Sequence, residues 1–276
     1  MQMQIIEWQE FLLNPLPLNG KSSAAITVGV FDGVHRGHQA LIRQVVERAD
    51  DSVPVVVTFK HSGFKKSGAN GHGAYQGNIV SFRQKMALFE HLGIAVTVVI
   101  EFCDSFSRTS GDDFLRILHE QGKMSFLTVG SNFRCGYQLD TDARAIQAFT
   151  SSRGIPAVIM PILAEGAVQI SSSHIRAAIA RGELQTAEAM LGYPFTVDLS
   201  GGATVADAGG AFVYSIASRG CILPPPGTYA VNLLGEQSGT SVKIEVCVDK
   251  GNIILAKNAL PENVCFEYAE FREKTS

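Results

Sequence analysis

The sequence predicts an α/β fold in two parts: a parallel sheet covered by helices on both faces, then a smaller all-β region. Three observations carry this. Short β-branched apolar runs alternate with helix-period segments as far as residue 191. The connections between them are short and often marked by glycine. Beyond Pro194 the helical period disappears, and short β-like runs stand between Gly and Pro clusters.

Taken in order, residues 26–31 are a strand that ends in an Asp32-Gly33 turn. A helix follows over 37–49, with Leu41, Ile42, Val45 and Val46 as its apolar face. Residues 53–59 form a second strand. Residues 61–78 carry Gly63, Gly68, Gly71, Gly73 and Gly77 and are expected to be a mobile loop. A helix over 79–91 presents Met86, Leu88 and Phe89 and is stopped by Gly93. Strands at 95–100, 126–129 and 157–162 alternate with helices at 112–120 and 142–151. Two short helices, 172–181 and 183–191, are separated by Gly182. The β-like runs 211–216, 229–233, 242–248 and 252–256 make up the second part. The boundary is expected at Gly192–Pro194, giving modules 1–193 and 194–276.

Composition narrows the classes of function. Hydrophobic residues are 46% and charged residues 18%, which rules out a disordered or fibrous chain. With Lys+Arg 23 against Asp+Glu 26, the net charge of -3 offers no general attraction to nucleic acid. No apolar run approaches the ~18 residues of a membrane helix. The first eleven residues carry Glu7 and Glu10 and no basic residue, unlike a targeting segment. Five scattered cysteines without a CxxC pair suggest neither zinc nor a disulfide framework. A cytoplasmic protein is expected.

Chemistry concentrates in three segments. The first is Val28-Gly29-Val30-Phe31-Asp32-Gly33-Val34-His35-Arg36-Gly37-His38. A strand enters a glycine turn and leaves as a helix. Gly33 and Gly37 let a phosphate approach the backbone, and the helix aims free N–H groups and its positive dipole end at the same place. His35 and His38, three residues apart, share one side of the first turn and suit a phosphoryl group whose charge grows during reaction. A zinc site would need more ligands than Asp32 and these two histidines supply. The second segment, Ile170-Ser171-Ser172-Ser173-His174-Ile175-Arg176, opens a helix with capping hydroxyls and sets a forked cation one turn in. The third, from Val129 to Tyr137, follows a strand and brings Asn132 and Phe133 to the same rim. There is no GxSxG elbow, GxxxxGK[ST] loop or GxGxxG fingerprint.

Together and in this order, these segments resemble the adenylyltransferase module of the bacterial bifunctional riboflavin kinase/FMN adenylyltransferase family, the FAD synthetases. The stretches GVFDGVHRGHQALI, VGSNFRCG and ISSSHIRAAIARGELQTAEAMLGYPF carry the resemblance from about residue 26 to 195. It implies a Rossmann-like nucleotidyltransferase domain and AMP transfer from Mg²⁺-bound ATP to FMN, giving FAD and pyrophosphate. It implies that His35 and His38 contact the ATP phosphates as catalytic groups. Gly29, Val30, Phe31, Asp32, Gly33 and Gly37 line the nucleotide. Ser172 and Arg176 hold the triphosphate and count among the catalytic groups, Ser171 binds nucleotide beside them, and Asn132 borders the adenosine or flavin pocket. The metal is expected to ride on the phosphates, with no protein ligands, and the partners are small molecules alone.

Two departures stand out. Thr58-Phe59-Lys60-His61-Ser62-Gly63 replaces the family's Pro-His-Pro-like stretch, and Asn132 stands where the family often has Asp. The Pro-Thr-Ala-Asn motif of the kinase is missing, Pro224–Val231 resembles a barrel remnant, and Glu267 and Glu270 lie only loosely where the acidic base belongs. The second module is therefore expected to be a shortened kinase-like β barrel without kinase activity. A different acceptor, or a non-catalytic flavin- or nucleotide-binding role, remains open at this point.

Overall fold

The computed structural model describes residues 2–60, 77–101, 104–200, 204–206, 211–235, 240–256 and 266–275. The expected loop at 61–78 falls outside them apart from Gly77 and Asn78. The chain divides into two units: Met1–Ser62 with Lys85–Ala164, and Gly63–Gln84 with Glu165–Ser276.

The first unit is built on a six-stranded sheet. Its strands are β1 (Gln4–Glu7), β2 (Ala24–Val28), β3 (Val53–Phe59), β4 (Val96–Ile100), β5 (Met124–Gly130) and, after a two-stranded ribbon of β6 (Arg134–Cys135) and β7 (Thr141–Asp142), β8 (Ala157–Met160). They lie in the order β1-β4-β3-β2-β5-β8, and all the pairings are parallel. β2 and β4 are buried at every residue, and β3 at all but its last. This is why they read as continuous apolar runs rather than alternating ones: a parallel sheet is covered on both faces. The sequence showed five of these strands. The sixth, β1, was missed because Gln4 and Glu7 break its apolar run and it pairs on one side only, with β4.

The helices of this unit follow their apolar faces. They are α1 (Trp8–Leu13), α2 (Arg36–Val46), α3 (Phe82–His91), the short α4 (Asp104–Ser107), α5 (Gly111–Glu120) and α6 (Ala143–Ser151). On α2, Leu41, Ile42 and Val45 are buried; on α5, Phe114, Leu115 and Leu118. Ser110 caps α5 by accepting from the Asp113 N–H, and Asp142 caps α6 by accepting from Arg144 and Ala145. α3 starts three residues later than the periodicity predicts. It stops at Gly93, whose φ of +92° is open to glycine at little cost.

In the second unit, a small ribbon of β9 (Ala164–Glu165) and β10 (Val168–Gln169) leads to α7 (Ser172–Ala180) and α8 (Leu184–Leu191). Then come β11 (Thr196–Asp198), β12 (Thr204–Ala206), β13 (Ala211–Ser215), β14 (Gly227–Gly235), β15 (Ser241–Asp249), β16 (Asn252–Leu255) and β17 (Phe266–Lys274). They form one antiparallel sheet in the order β11-β17-β14-β15-β16-β13-β12. β14 alternates in the manner of a one-sided sheet: Tyr229, Val231 and Leu233 are buried and their neighbours are not. Tyr229 and Phe195 both pack on Phe271, at 5.6 and 5.7 Å between ring centres. The all-β expectation for this region holds. Three of its strands, β11, β12 and β17, were not among the four runs read from the sequence.

Candidate functional site

The chain passes from β2 to β3 and β4 on one side, then returns to β5 on the other. The direction of winding thus reverses between β2 and β5. In open parallel sheets, ligands bind outside the carboxyl ends of the strands at such a reversal. Both loops at that point were singled out from sequence: the turn after Val28, and Gly130–Cys135 after β5.

The turn is strained and buried. Phe31 and Val34 adopt left-handed φ values of 53° and 34°, with Gly33 at 77° between them, and neither side chain reaches solvent. A bulky or β-branched residue at positive φ costs about 1–3 kcal/mol and persists where its surroundings impose it. Here the Val34 N–H donates to the Phe31 carbonyl at 3.2 Å, and the Gly29 N–H to the Val57 carbonyl at 3.1 Å. The Phe31 ring lies over Gly29, where a Cβ would stand 3.1 Å from it, and edge-on to Phe89 at 5.6 Å. Asp32 is buried on the same turn.

His35 is the N-cap of α2: its Nδ1 accepts from the His38 N–H at 3.4 Å, so its proton resides on Nε2. The two imidazoles stack, with centroids 3.5 Å apart and planes at 18°. A Cβ at Gly37 would stand 3.2 Å from the His35 ring, so the glycine gives the imidazole its room. Phe31 meets the His38 ring edge-on at 5.1 Å. Burial pushes the His35 pKa down to about 4, against a smaller upward pull from the residue's own backbone. Burial, then the charges of His35 and Lys85, hold His38 well below the ordinary histidine value. Both rings are therefore neutral at pH 7. His38 Nδ1 is buried without a hydrogen-bond partner among the described residues. Such orphaned groups are rare in folded proteins and often mark functional sites.

Asn132 is exposed on the turn after β5, closed by the Phe133 N–H donating to the Gly130 carbonyl at 2.9 Å. Its side chain approaches Gly130, where a Cβ would lie 3.1 Å from Oδ1. Gly29, Val30, Phe31, Asp32, Gly33, His35, Gly37, His38 and Asn132 thus share the carboxyl rim of one sheet.

Ser171, Ser172 and Arg176 belong to the second unit. Ser171 caps α7 by accepting from the His174 N–H at 3.2 Å; Ser172 is the first helical residue. Arg176, one turn in, donates from Nε to the Gly77 carbonyl at 3.0 Å. Asn78 bridges to Cys221, and a Cβ on Gly77, at φ +98°, would collide with that backbone at 2.9 Å.

Sequence reasoning missed Lys85, on α3. Its side chain is 2% exposed, and its ammonium donates to the Phe59 carbonyl at 2.6 Å, the Val30 carbonyl at 3.3 Å and Thr58 Oγ1 at 3.4 Å. The available clue was a lysine four residues before Phe89, on the buried side of the helix.

A parallel sheet with a glycine turn and paired neutral imidazoles at its point of reversal is the architecture of a Rossmann-like nucleotidyltransferase. The chain belongs to the FAD synthetase family, whose model matches residues 19–174. It is 28% identical over 222 residues to the bifunctional riboflavin kinase/FMN adenylyltransferase of Escherichia coli K12, covering 78% of this chain and 69% of that one. It is 25% identical over 182 residues to the FAD synthetase of Listeria monocytogenes, covering 66% and 73%. A crystal structure of a macrolide-efflux protein from Streptococcus pneumoniae superposes with a TM-score of 0.80 over 99% of this chain and 90% of that one. At 18% identity, that likeness speaks for the fold alone. Among the described residues, no helix is long and apolar enough to cross a membrane.

Proposed function

We propose that the protein is an FMN adenylyltransferase, transferring AMP from ATP to FMN and releasing pyrophosphate, without riboflavin kinase activity. The observation that carries the reading is the neutral, stacked His35–His38 pair at the N-terminus of α2, at the reversal point of the sheet.

In this reaction a terminal phosphate oxygen of FMN attacks the α-phosphorus of ATP. The bond from that phosphorus to the α–β bridging oxygen breaks, and pyrophosphate leaves with the electron pair. The nucleophile is already an anion, so no protein base is required. What the site supplies is orientation and donors aimed at growing negative charge. The proton on His35 Nε2 is such a donor, and the α2 dipole has its positive end at this residue. We assign Gly29 to Gly33 and Gly37 to the nucleotide and its phosphates, Asn132 to the adenosine or flavin pocket, and Ser171, Ser172 and Arg176 to the triphosphate. Magnesium, when bound, would neutralise charge on the phosphates.

Residues 1–193 would carry this transfer and residues 194–276 the kinase-like module. Loss of the kinase is supported by the state of its two acidic candidates. Glu267 receives a hydrogen bond at 2.9 Å from Arg83, which also forks onto Asp198. Glu270 accepts from Asn232 at 2.9 Å and pairs with Arg272. Both carboxylates are thus already engaged by donors of this chain. The reading fits a cytoplasmic protein whose partners are small molecules. Purified protein incubated with FMN, ATP and Mg²⁺ should yield FAD on chromatography, and riboflavin with ATP should yield no FMN. Absence of FAD would overturn the transfer; FMN from riboflavin would overturn the lost kinase.

A further inference from the structure

Lysine is rarely this buried unless it is paired or has a task. Lys85 donates to two neighbouring strand ends: the Val30 carbonyl just beyond β2, and Thr58 and the Phe59 carbonyl at the end of β3. Thr58 Oγ1 donates in turn to the Val30 carbonyl at 3.1 Å, so both groups hold that one oxygen. The Val30 carbonyl belongs to the peptide that enters Phe31, where the backbone turns left-handed. Fixing that peptide plane fixes the start of the strained turn, and the turn ends on His35. We propose that Lys85 is a positioning residue for AMP transfer, its ammonium clamping the ends of β2 and β3 so that the turn holds His35 and His38 in register. The inference rests on the adenylyltransferase reading.

The charge of this lysine is part of the clamp, since charge-assisted donors are the stronger ones. The titratable groups facing it are Asp32 on the turn and His38 on α2. Burial pulls Lys85 down to about 8, against the upward pull of Asp32. The clamp therefore loosens above that pH. Stability moves the other way: an unfolded lysine keeps its proton up to its ordinary value, so raising the pH through about 8 favours the folded form. A merely structural lysine would not make activity and stability diverge.

The test measures kcat for FAD formation and thermal melting from pH 6.5 to 10, with nitrogen NMR of the imidazole rings, on the wild type and Lys85→Met. The wild type should lose kcat above about pH 8 while its melting temperature does not fall, and its imidazole signals should move over the same range. In Lys85→Met, kcat at pH 7.5 should drop ~100-fold, the cost of a small misplacement. KM should stay within ~3-fold, as for a group that acts after binding. Imidazole signals unchanged in a folded Lys85→Met protein overturn the inference whatever the activity. If that variant does not fold, wild-type imidazole signals that stay fixed through pH 8 overturn it. Should the wild type make no FAD, the functional reading fails and the ring signals alone decide the role of Lys85.

Discussion

His35 fills two posts, capping α2 and stacking on His38, and both depend on its staying neutral. Its folded pKa of about 4 lies below its unfolded value of 6.5. Between those values the unfolded chain binds the proton and the folded one does not, so stability rises with pH there. It is fully present above about 6.5 and is lost as pH falls toward 4, by up to ~3 kcal/mol. Thermal melts from pH 7.5 to 4.5 should show this, and a flat profile would place the ring in solvent. His38→Ala should cut kcat ~100- to 1000-fold, as loss of a positioned donor does. Its melting temperature should change little, because the orphaned Nδ1 leaves with the ring. Steady-state FAD formation checks the first expectation and differential scanning calorimetry the second.

At the scale of the element, the turn and the opening of α7 make different demands. Gly29 has no room for a methyl group, since the Phe31 ring is fully buried and held against Phe89 and His38. Gly29→Ala should destabilise by about 1–3 kcal/mol, the usual range for overpacking, and a urea melt would measure it. α7 is simpler. Ser171→Ala removes the acceptor of the His174 N–H and should cost about 1 kcal/mol. If the same hydroxyl serves the triphosphate, titration calorimetry should also show weaker ATP binding; unchanged ATP affinity would confine Ser171 to capping.

For the whole molecule, one guanidinium ties together distant parts of the second unit's chain. Arg83 forks onto Asp198 at 3.0 and 3.2 Å, reaches Glu267 at 2.9 Å and lies over the Tyr268 ring at 4.5 Å. Burial would raise the Asp198 pKa, but hydrogen bonds from Arg83, Ser200 and Ser81 outweigh it and bring it to about 2. That stability is present above the ordinary carboxylate value of 3.8 and is lost as pH falls through 2. Arg83→Ala should cost about 1–2 kcal/mol at neutral pH, less than a fully buried pair because the guanidinium is partly exposed. It should also leave riboflavin unphosphorylated, because releasing Glu267 does not restore the absent Pro-Thr-Ala-Asn motif. Unfolding curves and the riboflavin assay test the two halves separately.

Much of this protein is written locally. The parallel strands are visible as Val-rich runs because burial on both faces leaves no place for polar residues. The phosphate turn is visible because strand, glycine, histidine and helix start are contiguous, and contiguous residues fold into one place whatever surrounds them. β1 was hidden because four residues with polar ends make no pattern, and its place beside β4 is a long-range pairing. Lys85 was hidden for the same reason. In the string FRQKMALFEH it is one of two cations, beside Arg83, and only the packing of α3 brings it under the ends of β2 and β3. The sequence by itself determined the α/β class, the glycine–histidine turn and the capped start of α7, all of which rest on periodicity and near-neighbour geometry. Only the tertiary structure decided that the imidazoles are stacked and neutral, that Glu267 is paired, and that a lysine is buried beside the turn. Burial and electrostatics depend on residues far apart in the chain, and a linear pattern does not carry them.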